Sequence, residues 1–128
     1  MILDTSALLA VLFDEPDADY FERAIASATT CRMSAANHLE AAMVVESRMG
    51  DEGGRQLDNF VETAEIELVP VTSEQAKSAR LAWRRYGKGN HTAGLNFGDC
   101  FAYALAEVVQ EPLLFKGVDF SLTDIEAV

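Results

Sequence analysis

Positive charge is scarce in this chain. Its 128 residues carry 10 Lys and Arg against 21 Asp and Glu, a net charge of −11. Such a balance argues against broad, non-specific binding to nucleic acid, while leaving room for a local basic rim or a partner that supplies positive charge. Cysteine is scarcer still. Cys31 and Cys100 both lie in apolar stretches, which points to reduced thiols in a cytoplasmic protein. The two histidines, His38 and His91, lack close ligand spacing with the cysteines, so a structural zinc site is disfavoured. No signal peptide is visible, and no apolar run approaches the ~20 residues of a membrane span, so no membrane contact is expected. Neither glycine-rich segment, Gly50 to Gly54 or Gly87 to Gly94, has the P-loop pattern. No Ser-His pairing or reactive-cysteine context is present.

What remains is an ordinary apolar fraction, 49%, in a length that makes one domain over residues 1–128. Met1 to Leu3 predicts a short buried strand, and Thr5 to Phe13 a buried helix. Pro16 helps to start a second helix over Asp17 to Ala28. Cys31 to Met33 predicts a strand, and Ser34 caps a helix over Ala35 to Met49. Gly50 to Gly54 is expected to end that helix, and Arg55 to Ala64 to form another. Ile66 to Val71 predicts a strand, Thr72 or Ser73 caps a helix to about Tyr86, and Gly98 opens one to about Val109. Leu113 to Phe115 and Ile125 to Val128 predict the closing strands. Short apolar strands alternating with helices indicate an α/β fold with a central parallel sheet covered on both faces.

Asp4, Glu40, Asp99 and Asp119 stand out against this pattern, because each sits near an element boundary in mostly apolar sequence. In an open α/β sheet, sites form outside the carboxyl ends of the strands. Carboxylates gathered there repel one another and resist burial, and a divalent cation removes that penalty. Oxygen-only ligands favour Mg²⁺ or Mn²⁺ over zinc or copper. Such ions bind phosphodiesters and activate water. Each residue has a plain reading as well. Asp4 can be a helix N-cap, Asp99 a partner of the helix dipole, Glu40 a solvated helix residue and Asp119 a turn residue.

The surrounding sequences resemble the PIN-domain family, and within it the VapC-type toxin ribonucleases. Met1-Ile2-Leu3-Asp4-Thr5-Ser6-Ala7-Leu8-Leu9-Ala10 is similar to the family's opening, and Ser34-Ala35-Ala36-Asn37-His38-Leu39-Glu40-Ala41-Ala42 to its second motif. Asn96-Phe97-Gly98-Asp99-Cys100-Phe101-Ala102-Tyr103 is similar to the third, and Leu113 to Phe120 followed by Thr123-Asp124-Ile125 to the closing segment. One departure stands out. Val118 replaces the first of two adjacent aspartates often found in close relatives, and the fourth acidic position maps to Asp119. The resemblance implies an α/β/α sandwich and Mg²⁺- or Mn²⁺-dependent endoribonuclease activity. It makes Asp4 and Asp99 the most direct metal ligands, with Glu40 and Asp119 completing the acidic pocket. Thr5 and Ser6 would add hydrogen bonds to the metal shell or phosphate. It also implies a homodimer and a cognate VapB-type antitoxin, with operator DNA bound only through that antitoxin.

The few cations are not evenly spread. Arg80, Arg84, Arg85 and Lys88 surround Trp83 and Tyr86, and Lys116 lies close to Asp119 in sequence. Cations with aromatic neighbours suit single-stranded RNA. A solvated helix end is the plain alternative, with Trp83 expected to be packed. Leu8, Leu9, Leu12 and Phe13, with Met43, Val44 and Val45, offer apolar surface for a dimer or antitoxin, or else simply core. Two other functions compete with the nuclease. One is a catalytically weak PIN-like module acting by RNA or protein binding, which Val118 and the net charge would favour. The other, ranked last, is a phosphatase or other hydrolase on the same acidic site.

Overall fold

The computed structural model describes residues 1–128. Its elements run β1 (Ile2–Leu3), α1 (Thr5–Leu12), α2 (Ala18–Ser27), β2 (Cys31–Ser34), α3 (Ala35–Thr63), β3 (Ile66–Val69), α4 (Ser73–Tyr86), α5 (Phe97–Val109) and β4 (Leu113–Leu114). A 3₁₀ turn follows at Asp119–Leu122. The four strands form one parallel sheet in the order β3-β2-β1-β4. No helix is long and apolar enough to cross a membrane.

Alternation along the short strands divides the core in two. Ile2 and Leu113 point to the face covered by α4 and α5, where they join Tyr103, Leu105 and Phe120. Leu3 and Leu114 point to the other face, with Leu8, Phe21, Met33 and Leu57 from α1, α2, β2 and α3. Both faces of the sheet are therefore covered, which is the α/β/α sandwich expected. Each large side chain taken fully out of water contributes roughly 1.5–3 kcal/mol.

The strand order creates a switch point. From β1 the chain leaves over the α1 side to β2, while β4 is reached over the α4 and α5 side. The chain thus departs in opposite directions from β1 and β4, and the carboxyl ends of these two strands are where such a fold builds its sites.

Several boundaries differ from the sequence expectation. β3 ends at Val69 because Pro70 has no N–H to continue the ladder. β4 ends at Leu114, and the final segment contributes only a single bridge, Leu113 with Ala127. Most informative is the glycine segment after Met49. Only Gly50 is non-helical (φ 62°, ψ −153°), and helix resumes at once through Gly53 and Gly54. A side chain at Gly53 would sit 2.6 Å from the Met49 Cβ and 2.8 Å from the Val45 Cγ1, so the close return of the helix needs glycine there.

Gly50 occupies backbone space essentially closed to other residues, yet nothing lies within 4 Å of where its Cβ would stand. Gly50→Ala should therefore cost about 1–3 kcal/mol through the backbone alone. Urea denaturation checks this; an unchanged midpoint would mean that α3 does not depend on the bend.

Candidate active site

Asp4 follows the last residue of β1 and caps α1. Its Oδ2 accepts from the Ser6 amide at 3.0 Å and the Ser6 hydroxyl at 2.5 Å. The Ser6 hydroxyl oxygen in turn accepts from the Lys116 amide at 2.9 Å, which ties β1 to the exit of β4. Asp99 repeats the arrangement on α5. Its Oδ2 accepts from the Asn96 amide at 3.0 Å, while Asn96 Oδ1 accepts from the Asp99 amide at 2.9 Å, a reciprocal capping box. Asp4 is thus the cap that its plain reading makes it, Asp99 stands in the first turn of α5 as its plain reading has it and adds a capping box, and these bonds consume one oxygen of each carboxylate. Oδ1 of Asp4 and of Asp99 has no protein donor.

Glu40 reaches the same place from α3. A methyl group at Gly98 would come within 2.7 Å of the Glu40 carboxyl carbon, so this carboxylate lies against the start of α5 because Gly98 has no side chain. The three charges feel one another. Burial pushes the Asp4 carboxyl up from 3.8 to about 6; the charges of Asp99 and Glu40 add to the rise and the Ser6 hydrogen bonds oppose it. Asp99 is also raised, first by burial and then by the charges of Asp119 and Glu40, against the Asn96 hydrogen bond. Asp119 is exposed at the start of the 3₁₀ turn and belongs to the rim. Val118 beside it is 69% exposed.

No three acidic, histidine or cysteine side chains close tightly enough to cage an ion. The donor set is all oxygen, with one oxygen each of Asp4 and Asp99 free of protein donors, which is the donor chemistry of a hard cation that keeps part of its water, as Mg²⁺ does. Cysteine chemistry does not compete: both thiols are buried and unpaired, and burial pushes Cys31 up to about 11. A cavity of about 750 Å³ lies at the amino ends of β2 and β3, among Ile25, Thr30, Cys31 and Glu67, and touches none of these carboxylates.

The PIN domain family model matches residues 1–126. This chain belongs to the PIN-domain family. It is 58% identical over 128 residues to Ribonuclease VapC of Mycolicibacterium smegmatis, covering 100% of this chain and 99% of that protein. Among solved structures, Mycobacterium tuberculosis VapC20, described as a sarcin-ricin loop cleaving toxin, superposes with a TM-score of 0.79 at 16% identity, covering 99% of this chain and 97% of the other. VapBC2 from Rickettsia felis, bound to a DNA fragment from its promoter, gives 0.78 at 14% identity over 98% and 94%. These two likenesses concern the fold.

Within this PIN domain, the cations expected to face RNA fare unequally. Lys116 is committed elsewhere: its Nζ donates to Glu15 and to Asp17, each at 3.0 Å. Arg85 lies over the Tyr86 ring and 3.6 Å from Asp124. Arg84 and Lys88 are exposed. Trp83, expected to be packed, is 49% exposed. It lines a groove of about 550 Å³ between α4 and α5 with Arg80, Lys88, Leu95, Phe97 and Phe101. The groove opens at the end of α5 that carries Asp99. Thr5 turns its hydroxyl to the Asn37 carbonyl at 3.2 Å. Of the apolar stripes, Leu8 and Val45 are core, Leu9, Leu12, Phe13 and Val44 are half-buried, and Met43 is exposed. Sequence reasoning passed over Asn37 and Gly98. The spacing Asn37 to Glu40 on one helix face, and a glycine directly before Asp99, were the available signals.

A carboxyl that binds its proton more tightly folded than unfolded favours folding below pH 3.8, and that contribution is lost as pH rises through about 6. At about 1.4 kcal/mol per pKa unit, the loss for Asp4 is on the order of 3 kcal/mol. Asparagine keeps the cap without the charge. In the absence of divalent cations, Asp4→Asn should exceed wild type by roughly 1–3 kcal/mol at pH 7 and by little below pH 4. Urea denaturation at both pH values tests this; an equal difference at both would remove the buried-carboxylate account.

Proposed function

We propose that this PIN domain is a toxin ribonuclease that cleaves RNA phosphodiester bonds with Mg²⁺ or Mn²⁺, and that a VapB-type antitoxin neutralises it. The observation that carries this reading is the buried Asp4 carboxyl, held beside Asp99 and Glu40 at the carboxyl end of β1 and destabilised without a counterion. Asp4 and Asp99 would hold the ion through the oxygens their caps leave free, and Glu40 and Asp119 directly or through water. When bound, a divalent cation supplies Lewis-acid activation of phosphate and water, so no side-chain nucleophile is required. The chain's own residues orient: Ser6 holds Asp4, the Asn96 box holds Asp99, and Gly98 admits Glu40.

For the substrate, Arg80, Arg84 and Lys88 can contact phosphate, and the half-exposed Trp83 can stack on an unpaired base. Leu39, Met43 and Phe97, at 60%, 66% and 82% exposure, flank Glu40 and Asp99 and supply apolar surface for a homodimer. The acidic balance favours a basic antitoxin segment, and an arginine inserted among the carboxylates would compete with metal. Operator DNA would be bound through that antitoxin. A module that binds without cutting is the alternative, supported by Val118 and by the openness of the carboxylate group.

Induction in bacteria without an antitoxin, beside Asp99→Asn at matched soluble level, separates the two. Arrest by wild type alone is the expected outcome. Arrest by both would favour binding, and growth of both would count against a toxin in that host.

A further inference from the structure

Asn37 has no exposed surface, yet its side chain is poorly served. Its Nδ2 donates to the Gly98 carbonyl at 2.9 Å, a group that the helix ladder of α5 already uses. Its Oδ1 is buried and has no partner. An amide buried for one redundant bond, with its acceptor unpaired, works against stability, and an apolar side chain would pack there without that defect. Folding alone therefore does not account for Asn37. Its connections do. The Asn37 carbonyl accepts from the Thr5 hydroxyl at 3.2 Å, one residue after Asp4. Its amide holds Gly98, one residue before Asp99, and Glu40 lies three residues along the same face of α3. One side chain and one carbonyl thus join the three segments that bear the buried and half-buried carboxylates.

We infer that Asn37 is a positioning residue, which locks the starts of α1, α3 and α5 together and so sets the spacing of Asp4, Glu40 and Asp99. This rests on the acidic-site reading above. It separates two properties that usually change together. Asn37→Val should melt at or above the wild-type temperature, because an unpaired acceptor is removed. Its affinity for Mn²⁺ should fall at least tenfold, and growth arrest should be lost.

Calorimetric titration with Mn²⁺ on wild type, Asn37→Val and Asp99→Asn, with melting temperatures and crystal structures of the first two, provides the test. Weakened Mn²⁺ binding by a stably folded Asn37→Val, with the Glu40 and Asp99 carboxylates displaced, is the supporting result. Wild-type affinity in Asn37→Val, with binding lost in Asp99→Asn, overturns the positioning role and leaves the metal site standing. If wild type itself binds no Mn²⁺, the metal reading fails, and carboxylate spacing decides alone; identical spacing in the two crystal structures overturns the inference. Should Asn37→Val fail to fold, Thr5→Val removes the second link with little change in volume. Unaltered Mn²⁺ affinity and spacing in that variant would equally overturn it, and Thr5→Ser should restore what Thr5→Val loses.

Discussion

A carboxylate placed at the end of a fully buried strand is the constraint around which this structure is arranged. β1 is two residues long, central in the sheet and completely covered, so Asp4 emerges directly from the core. Water cannot fully solvate it, and its neighbours carry the same sign. Local bonds offset this only in part: the Ser6 amide and hydroxyl both bond to one oxygen, and the other oxygen has no protein donor. What the local bonds do not offset remains as a raised proton affinity.

The same economy appears at Asp99. Capping and ligation are often treated as competing explanations of a first-turn aspartate, but a carboxylate has two oxygens. In both residues the cap fixes the side-chain orientation with one and presents the other. Helix α5 adds its positive end to the place where Asp99 stands. Glu40 has no such cap and depends instead on the empty volume at Gly98. Its placement is therefore a property of how α3 meets α5, with Asn37 between them.

Charge is organised on the larger scale as well. Several of the few cations are bound to acidic partners: Arg32 to Glu67 and Glu111, Arg55 to Glu52, and Lys116 to Glu15 and Asp17. At exposed sites such pairs add little stability. Among these cations, Lys116 is the one that linear proximity would assign to the acidic site, and its ion pairs hold it at Glu15 and Asp17 instead. Arg80, Arg84 and Lys88 remain as an isolated basic edge at the end of α4, beside a groove with exposed aromatic rings.

The linear sequence by itself determined most of the order of elements and the parallel α/β class, and it singled out Asp4, Glu40 and Asp99, which the fold brings together. These follow from local signals: apolar runs, caps such as Ser34 and Thr72, glycine after a helix, and motifs read in order. The tertiary structure alone decided the rest. Gly50 ends one helix, but only the packing of Gly53 against Val45 lets the next begin at once. Lys116 is near Asp119 in the chain and ion-paired to the α1–α2 connection in space. Trp83 is large and apolar, yet α4 turns it to a groove. Asn37 is marked in the chain only by its spacing to Glu40, and its contacts reach residues 32 positions before it and 61 after it. Local propensity reports what each segment prefers. Which side chains face one another depends on long-range packing, and no segment encodes that alone.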